Sequence, residues 1–446
     1  MSALDPQEFY QWLEQRNPNQ MEFNQAVHEL YQDLFPLVAE NPDYQQQQIL
    51  QRLTEPDRII SFRVCWEDDS GRLHVNRGYR VQHCGLLGPY KGGLRFHPSV
   101  NESVLKFLAF EQTFKNALTM LPLGGGKGGA DFDPKGRSDR EIMRFCQAFM
   151  NELYRHIGEN TDVPAGDINV GSREIGFLFG HYRRLANHFS GSLTGKDIEF
   201  GGSHVRVEAT GFGLIYFVEN MLSLAGDSLA DKTVAISGAG NVALHAALKA
   251  TQRDARVITL SNSSGCIYHK QGIEQSTLEA LLNTSNRPDL EQVAQDIGAK
   301  WCEGVKPWGV ACDIALPCGT QNELDEEDAR SLVDLGCQFL AEGANMPCTE
   351  KAIDVLNRAQ LTNAPGKASN AGGVALSGLE MSQNASFNSL SYDELDEQLK
   401  NIMDNIHKQC VKHSGSKQGE WVNYRKGANV AAFNRVAAAM LSQGIA

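Results

Sequence analysis

Residues 232–250 read KTVAISGAGNVALHAALKA, and the fold follows from this stretch. KTVAIS has the composition of a short buried strand and NVALHAALKA the pattern of a helix. The turn between them, Gly238-Ala239-Gly240-Asn241-Val242-Ala243, is a GxGxxA sequence. In such a turn the first glycine permits the tight bend and the second lets a pyrophosphate approach the backbone. The small Ala243 allows close helix–strand packing, and the helix N-terminus faces the phosphates. The bland alternative is a glycine-rich turn that binds nothing. The strand before, the helix after and a further strand, RVITLS, favour a dinucleotide site instead. CDIALP and CQFLAEGAN repeat the strand pattern at similar intervals, which implies a parallel sheet with helices on its faces.

RVITLS runs into Ser261-Asn262-Ser263-Ser264-Gly265, with no Asp or Glu. A site for NAD usually places an acid here to accept from the ribose 2′-hydroxyl. Small hydroxyl and amide groups leave room for a 2′-phosphate, so NADP (NADPH) is expected and NAD disfavoured. Gly238, Gly240, Asn241, Val242 and Ser261 are the candidate cofactor-binding positions of this segment.

Upstream, GSLTGKDIEFGGSHVRVEATG near residue 200 reads as a linker or hinge. Before it, residues 1 to 55 have the look of polar amphipathic helices. Residues 58 to 84 suggest a β-hairpin around Asp69-Ser70-Gly71. Ser99 and Glu102 make a capping box for a helix over 100–120, with Val104, Phe107, Leu108, Glu111, Lys115 and Leu118 on one face. Ser138 and Glu141 make another. The expected architecture is α/β with two domains separated by a cleft. Residues 1–200 form an α/β substrate-binding and oligomerisation domain, on which a C-terminal helix, 425–446, packs back. Residues 201–424 form a Rossmann-type dinucleotide-binding domain. Two domains joined by a glycine-rich hinge suit closure over a substrate.

The 446 residues, 41% hydrophobic and 21% charged, are those of an ordinary globular chain. A net charge of -13 makes nucleic acid an unexpected partner. The ten cysteines include no CxxC pair, and Cys302, Cys312 and Cys318 are spaced too loosely for a zinc ribbon, so no metal is expected. Reduced thiols, the absence of a signal-peptide pattern and the absence of a ~20-residue apolar run point to a cytoplasmic protein with no membrane partner.

Three segments of the first half carry chemistry: GPYKGGLRFHPSVN at 88–101, FEQTFKNALTMLPLGGGKGG at 110–129 and DVPAGDINVG at 162–171. Lys127 sits among five glycines, which let a substrate come close to the backbone. This is not a P-loop, because Leu121 stands where that motif needs glycine and Gly128 where it needs Ser or Thr. A lone lysine is most often a solvated surface charge. That reading weakens when several lysines lie in glycine-rich or capped contexts. Gln112 and Lys115 fall on nearly the same helical face. Asp167, taken alone, reads as a turn residue.

These segments, with DVPAGDINVGSREIG, EATGFG, SGAGNVA and SNAGGVALSGLEMSQN, closely resemble the hexameric glutamate dehydrogenases of bacteria and lower eukaryotes. The resemblance covers the whole chain and implies a homohexamer acting on 2-oxoglutarate, ammonia and L-glutamate. It implies that Lys91, helped by Ser377, pairs with the substrate γ-carboxylate, and that Lys115 with Gln112 holds the α-carboxylate. Lys127 would polarise the 2-oxo group and donate a proton, Asp167 would shuttle protons to and from the nitrogen, and Gly166 would lend backbone contact. Thr210 and Asn241 would meet the nicotinamide end of the cofactor. The related leucine, valine and phenylalanine enzymes carry an apolar residue at the position of Lys91, so an acidic substrate is expected here. An NAD-linked catabolic enzyme and an inactive homologue that only binds glutamate and cofactor are the alternatives.

Overall fold

The hairpin expected at residues 58–84 forms because its turn is self-satisfying. Asp68 Oδ1 accepts from the backbone N–H of Ser70 and Arg72, at 2.9 and 3.0 Å, and Gly71 supplies a φ of 82°. The strands are β1 (Arg58–Glu67) and β2 (Leu73–Cys84), paired antiparallel. These details come from a computed structural model that describes residues 5–284, 289–417 and 419–445. The first four residues of the N-terminal stretch and Ala446 of the expected C-terminal helix lie outside the described residues.

The chain folds as two units. The first comprises residues 5–204, Leu376–Ser391 and 429–445. Its sheet adds β3 (Tyr90–Phe96), β4 (Gly125–Ala130) and β5 (Asp162–Gly166), in the order β1-β2-β4-β3-β5. β4 runs antiparallel to β2 and parallel to β3, which pairs parallel with β5. Phe96, Phe132, Phe145, Phe149 and Leu178 are buried in one core cluster with the helices Asp139–Leu153 and Ser172–Ala186. The Ser138/Glu141 capping box is present.

The Glu102–Leu118 helix differs from expectation in two ways. Its N-cap is Asn101, whose Oδ1 accepts from Val104 N at 2.9 Å, while Ser99 is held by His97 Nδ1 at 2.7 Å. Its buried face is centred on Leu105, Ala109, Phe110, Thr113, Phe114 and Ala117; of the expected face Phe107 and Leu118 are also buried, whereas Val104, Leu108, Glu111 and Lys115 stay part-exposed, as does Gln112. The helix is covered on two sides, by the sheet and by the Met21–Tyr31 helix, whose Phe23 meets Phe110 edge-on. The row left open is the one that ends in Gln112 and Lys115.

The second unit is residues 205–284, 289–375 and 392–428, the last without Gln418. Its strands are β6 (Thr233–Ser237), β7 (Arg256–Asn262), β8 (Gly265–Tyr268), β9 (Lys300–Glu303), β10 (Ile314–Pro317), β11 (Phe339–Ala341) and β12 (Thr362–Ala364). Their order is β12-β11-β10-β6-β7-β8-β9. β12 to β7 are parallel, as expected for a Rossmann-type unit, but β8 and β9 are antiparallel. The cause is local: Asn262 Oδ1 accepts from Ser264 N and Gly265 N, which reverses the chain at once and leaves no room for a crossover helix. β6 has β7 on one side and β10 on the other, so the order reverses there, the usual place for a ligand crevice.

The domain limits also differ from the expected ones. Leu376–Ser391 belongs to the first unit, where the buried Lys196–Glu380 pair (2.8 Å) and a bond from Asn384 Nδ2 to Gly201 O tie it down. The segment read as a linker is therefore packed over much of its length, with Ser192 and Thr194 fully buried. Residues 429–445 join the first unit through Arg435 Nη1, which donates to Ala117 O at 2.7 Å. Among the described residues no helix is long and apolar enough to cross a membrane.

Candidate active site

β4 is built almost wholly of glycine, a poor strand former. It lies in mid-sheet because its neighbours come closer than any side chain would allow. A Cβ at Gly92 would stand 1.7 Å from Gly126 O, and one at Gly125 would stand 2.0 Å from Thr113 Oγ1. The glycines around Lys127 thus serve internal packing, not the approach of a substrate to the backbone. The result is a rigid strand that carries Lys127 beside β3 and under the Glu102–Leu118 helix.

Of the residues expected in the first unit, Lys91, Lys127, Gly166 and Asp167 lie on β3, on β4 and at the end of β5. Lys91, on β3, is 2% exposed and donates to Val163 O at 3.0 Å and Thr194 Oγ1 at 2.7 Å. Lys127 Nζ lies 3.1 Å from Asp167 Oδ1, and Arg95 Nε lies 2.7 Å from Asp167 Oδ2. Gln112 Nε2 donates to Asn116 Oδ1 at 2.6 Å, and Asn116 Nδ2 donates to Lys91 O and Gly124 O. Gly166 has no space for a side chain, since a Cβ would meet Val170 O at 2.3 Å. Ser377 is buried one helical turn before Glu380, which binds Lys196 two residues after Thr194.

The charges are tuned by this packing. Burial drives the Lys127 ammonium below the ordinary lysine range, Asp167 opposes that, and Arg95 adds to it. Burial works to raise the Asp167 carboxyl, but Lys127 and Arg95 outweigh it and hold the group below the usual carboxylate value. The Lys115 residue is part-exposed, yet its ammonium is densely surrounded and is pushed down to about 8, by burial first and by Lys127 second. A carboxylate held charged beside an ammonium that gives up its proton readily is an arrangement for general acid–base chemistry.

In the second unit, Gly238 takes a φ of 87° against Cys318 and Gly319, just beyond β10. Gly240 opens onto nothing within 4 Å, and the Asn241–Thr251 helix begins directly after it. Asn241 Nδ2 donates to Val207 O at 2.6 Å, and Val242 is part-exposed. Thr210 Oγ1 lies 2.6 Å from where a Cβ of Gly373 would stand. Ser261 is buried, and its Oγ accepts from Gly238 N at 3.0 Å. Asn262, Ser263 and Ser264 remain exposed. Beneath the turn, Ser237 Oγ donates to part-buried Glu323 at 2.7 Å.

Arg95, Thr194, Asn116 and Glu380 were not singled out from the sequence. Arg95 had a legible signal: on a strand, Lys91, Gly93 and Arg95 share one face. Thr194 had none, because its contact with Lys91 spans 103 residues.

Nearly the whole chain is similar to known proteins of one family. Residues 201–444 match the Glutamate/Leucine/Phenylalanine/Valine dehydrogenase family, and residues 56–184 match the Glu/Leu/Phe/Val dehydrogenase, dimerisation domain. The NADP-specific glutamate dehydrogenase of Escherichia coli (strain K12) is 52% identical, over 98% of both chains. The NAD-specific glutamate dehydrogenase of Bacteroides fragilis is 53% identical, over 97% of this chain and 98% of that one. The crystal structure of Plasmodium falciparum glutamate dehydrogenase superposes with a TM-score of 0.96 at 49% identity, covering 99% of this chain and 94% of that one.

Proposed function

Because the chain belongs to the Glu/Leu/Phe/Val dehydrogenase family, we propose that it is a glutamate dehydrogenase that converts 2-oxoglutarate and ammonia to L-glutamate, reversibly, with NADPH as hydride donor. The observation that carries the reading is the Lys127–Asp167 pair at 3.1 Å, with buried Lys91 on the adjoining strand.

A dicarboxylate entering a dry site needs both charges matched. Lys91, with Ser377, takes the γ-carboxylate, and Lys115, with Gln112, takes the α-carboxylate. Lys127 donates to the 2-oxo oxygen and makes its carbon electrophilic. Asp167 accepts a proton from the incoming nitrogen, and Gly166 offers its backbone to the substrate. Lys127, having given its own proton to the carbonyl oxygen as the nitrogen adds, takes up the proton held on Asp167 at 3.1 Å and passes it to the hydroxyl, which departs as water and leaves an iminium. A nicotinamide dinucleotide, when bound, would supply the hydride for the reduction. Gly238, Gly240, Asn241, Val242 and Thr210 fit such a dinucleotide, because the turn is tight at Gly238 and open at Gly240. Ser261 acts by holding that turn in place.

The choice of NADPH rests on the exposed Asn262, Ser263 and Ser264, none of which repels a 2′-phosphate. Overall identity does not decide it, since relatives named for either cofactor lie at 52 and 53%. We place the enzyme in ammonium assimilation, in the cytoplasm, where its ten free thiols stay reduced. We assign it to a homohexamer, in keeping with the match to a dimerisation domain.

The test is an absorbance assay with 2-oxoglutarate and ammonium, comparing NADPH with NADH. Turnover with a kcat/KM for NADPH at least about tenfold higher, a difference of ~1.4 kcal/mol, is expected. No turnover with either cofactor refutes the function, and equal use of both refutes the cofactor choice. Light scattering that gives a stable 49.1 kDa monomer refutes the hexamer.

A further inference from the structure

Asp167 is gripped from both sides. Lys127 Nζ stands at Oδ1 and Arg95 Nε at Oδ2, at 3.1 and 2.7 Å. We propose that Arg95 is a positioning residue of the reaction: its guanidinium fixes the orientation of the Asp167 carboxylate toward Lys127 and keeps it a proton acceptor throughout turnover. This rests on the reading of Lys127 and Asp167 as the acid–base pair.

The backbone is built for the contact. A Cβ at Gly93 would lie 2.6 Å from Gly166 O and 2.8 Å from Asp167 Cβ, so β3 and the loop after β5 approach as closely as glycine allows. Gly93 and Arg95 share that face of β3. The Arg95 and Asp167 side chains are only 16 and 17% exposed, which separates them from the screened surface pairs elsewhere on the chain.

The chemistry explains why an arginine stands there. Lys127 must lose its proton during the reaction. At that moment Asp167 would become a carboxylate without a cation beside it, and it would take the proton that Lys127 owes to the leaving oxygen. A guanidinium stays charged at every working pH, so Arg95 supplies a constant positive field while Lys127 cycles. The other charged groups facing the pair do not replace it. Arg80, from β2, is bound to Asp162 of β5. Lys115 and Glu111 come from the Glu102–Leu118 helix, where Glu111 partly offsets the effect of Lys127 on Lys115.

The experiment is the pH dependence of kcat/KM for 2-oxoglutarate in wild type, Arg95→Gln and Arg95→Lys. The cation favours charged Asp167 and neutral Lys127, so its removal should move both limbs of the profile upward by about 1–2 units. Arg95→Lys keeps the charge and loses the geometry. Its limbs should stay near those of wild type, while kcat falls at least about tenfold and KM for 2-oxoglutarate changes less than about threefold. A purely structural role would lower the whole profile without moving it. Limbs unmoved in Arg95→Gln overturn the proposal, and so does an unchanged kcat in Arg95→Lys. If Arg95→Gln is recovered unfolded, the Arg95→Lys result decides alone. A wild-type enzyme that rejects 2-oxoglutarate but aminates another 2-oxo acid overturns only the substrate reading, and the three profiles are then compared on that acid.

Discussion

In the first unit, a methyl group added at Gly92 or Gly125 would lie 1.7 or 2.0 Å from protein atoms. In the second unit, one added at Gly240 would meet nothing within 4 Å. Both positions sit in glycine-rich runs beside candidate site residues, and the sequence invites the same explanation for both. The difference shows that glycine serves two ends here. Around Lys127 it lets backbone meet backbone, so that the lysine is held without freedom. At Gly240 it leaves an empty approach, which is what a ligand needs.

The largest effect should come from breaking the first of these. Gly92→Ala forces Cβ into the Gly126 carbonyl and cannot be relieved by a side-chain rotation. A loss of about 4 kcal/mol or more is expected, enough to leave little folded protein. Thermal unfolding of purified Gly92→Ala checks this, and a melting temperature within ~2 °C of wild type would mean that β3 and β4 can part without cost.

Next come the two lysines that the packed glycines hold. Lys127→Ala should lower kcat by about 10²–10⁴-fold on every substrate while cofactor titration stays normal, because that residue acts on the carbonyl common to all of them. Lys91→Leu should cost about 3–5 kcal/mol in kcat/KM for 2-oxoglutarate, through an unpaired γ-carboxylate, yet gain relative activity on apolar 2-oxo acids. A panel of 2-oxo acids separates the two. Parallel losses across the panel would show that the division of labour is wrong.

These contrasts also mark what the sequence could reveal. The Gly238 turn, β6 and the helix from Asn241 were legible because each is decided by residues close in the chain. β4 was not, because its four glycines carry no strand preference and only the register of Val81 and Leu94 against Lys127 and Gly128 makes them a strand. Lys91, Lys115, Lys127 and Asp167 were gathered by resemblance, not by spacing, and Thr194 was hidden by sequence distance. The bond from Gly238 N to Ser261 Oγ was hidden in the same way, since it joins residues 23 apart in the chain. Ser99 lost to Asn101 as the helix cap because His97 already engages it.

Breaking the open glycine should have a smaller and different effect. Gly240 has a φ of -89°, which any residue adopts, so Gly240→Ala should melt like wild type. Its Cβ would stand where the pyrophosphate must approach, and NADPH binding should weaken by about 2 kcal/mol, roughly thirtyfold. Fluorescence titration with NADPH measures this. Unchanged affinity would show that the open side of the turn is not the ligand side.

The smallest effect is a pH dependence set by Lys115. Its ammonium, pushed down to about 8 by burial and by Lys127, must be charged to hold an α-carboxylate. Inhibition by glutarate, which has both carboxylates but no reacting carbonyl, isolates binding from the chemistry at Lys127. Between pH 7 and pH 9 the charged fraction of Lys115 falls about tenfold, so the inhibition constant should rise by about the same factor. Folding responds with the opposite sign. From about pH 8 up to the ordinary lysine value, the unfolded chain keeps a proton that the folded chain has released, so this group makes the fold more stable as pH rises. Weaker glutarate binding together with an undiminished melting temperature across pH 7 to 9 is therefore the signature of Lys115. Weaker binding that tracks a falling melting temperature would assign the effect to alkaline loosening of the fold instead, and an inhibition constant flat across the range would remove Lys115 from the α-carboxylate.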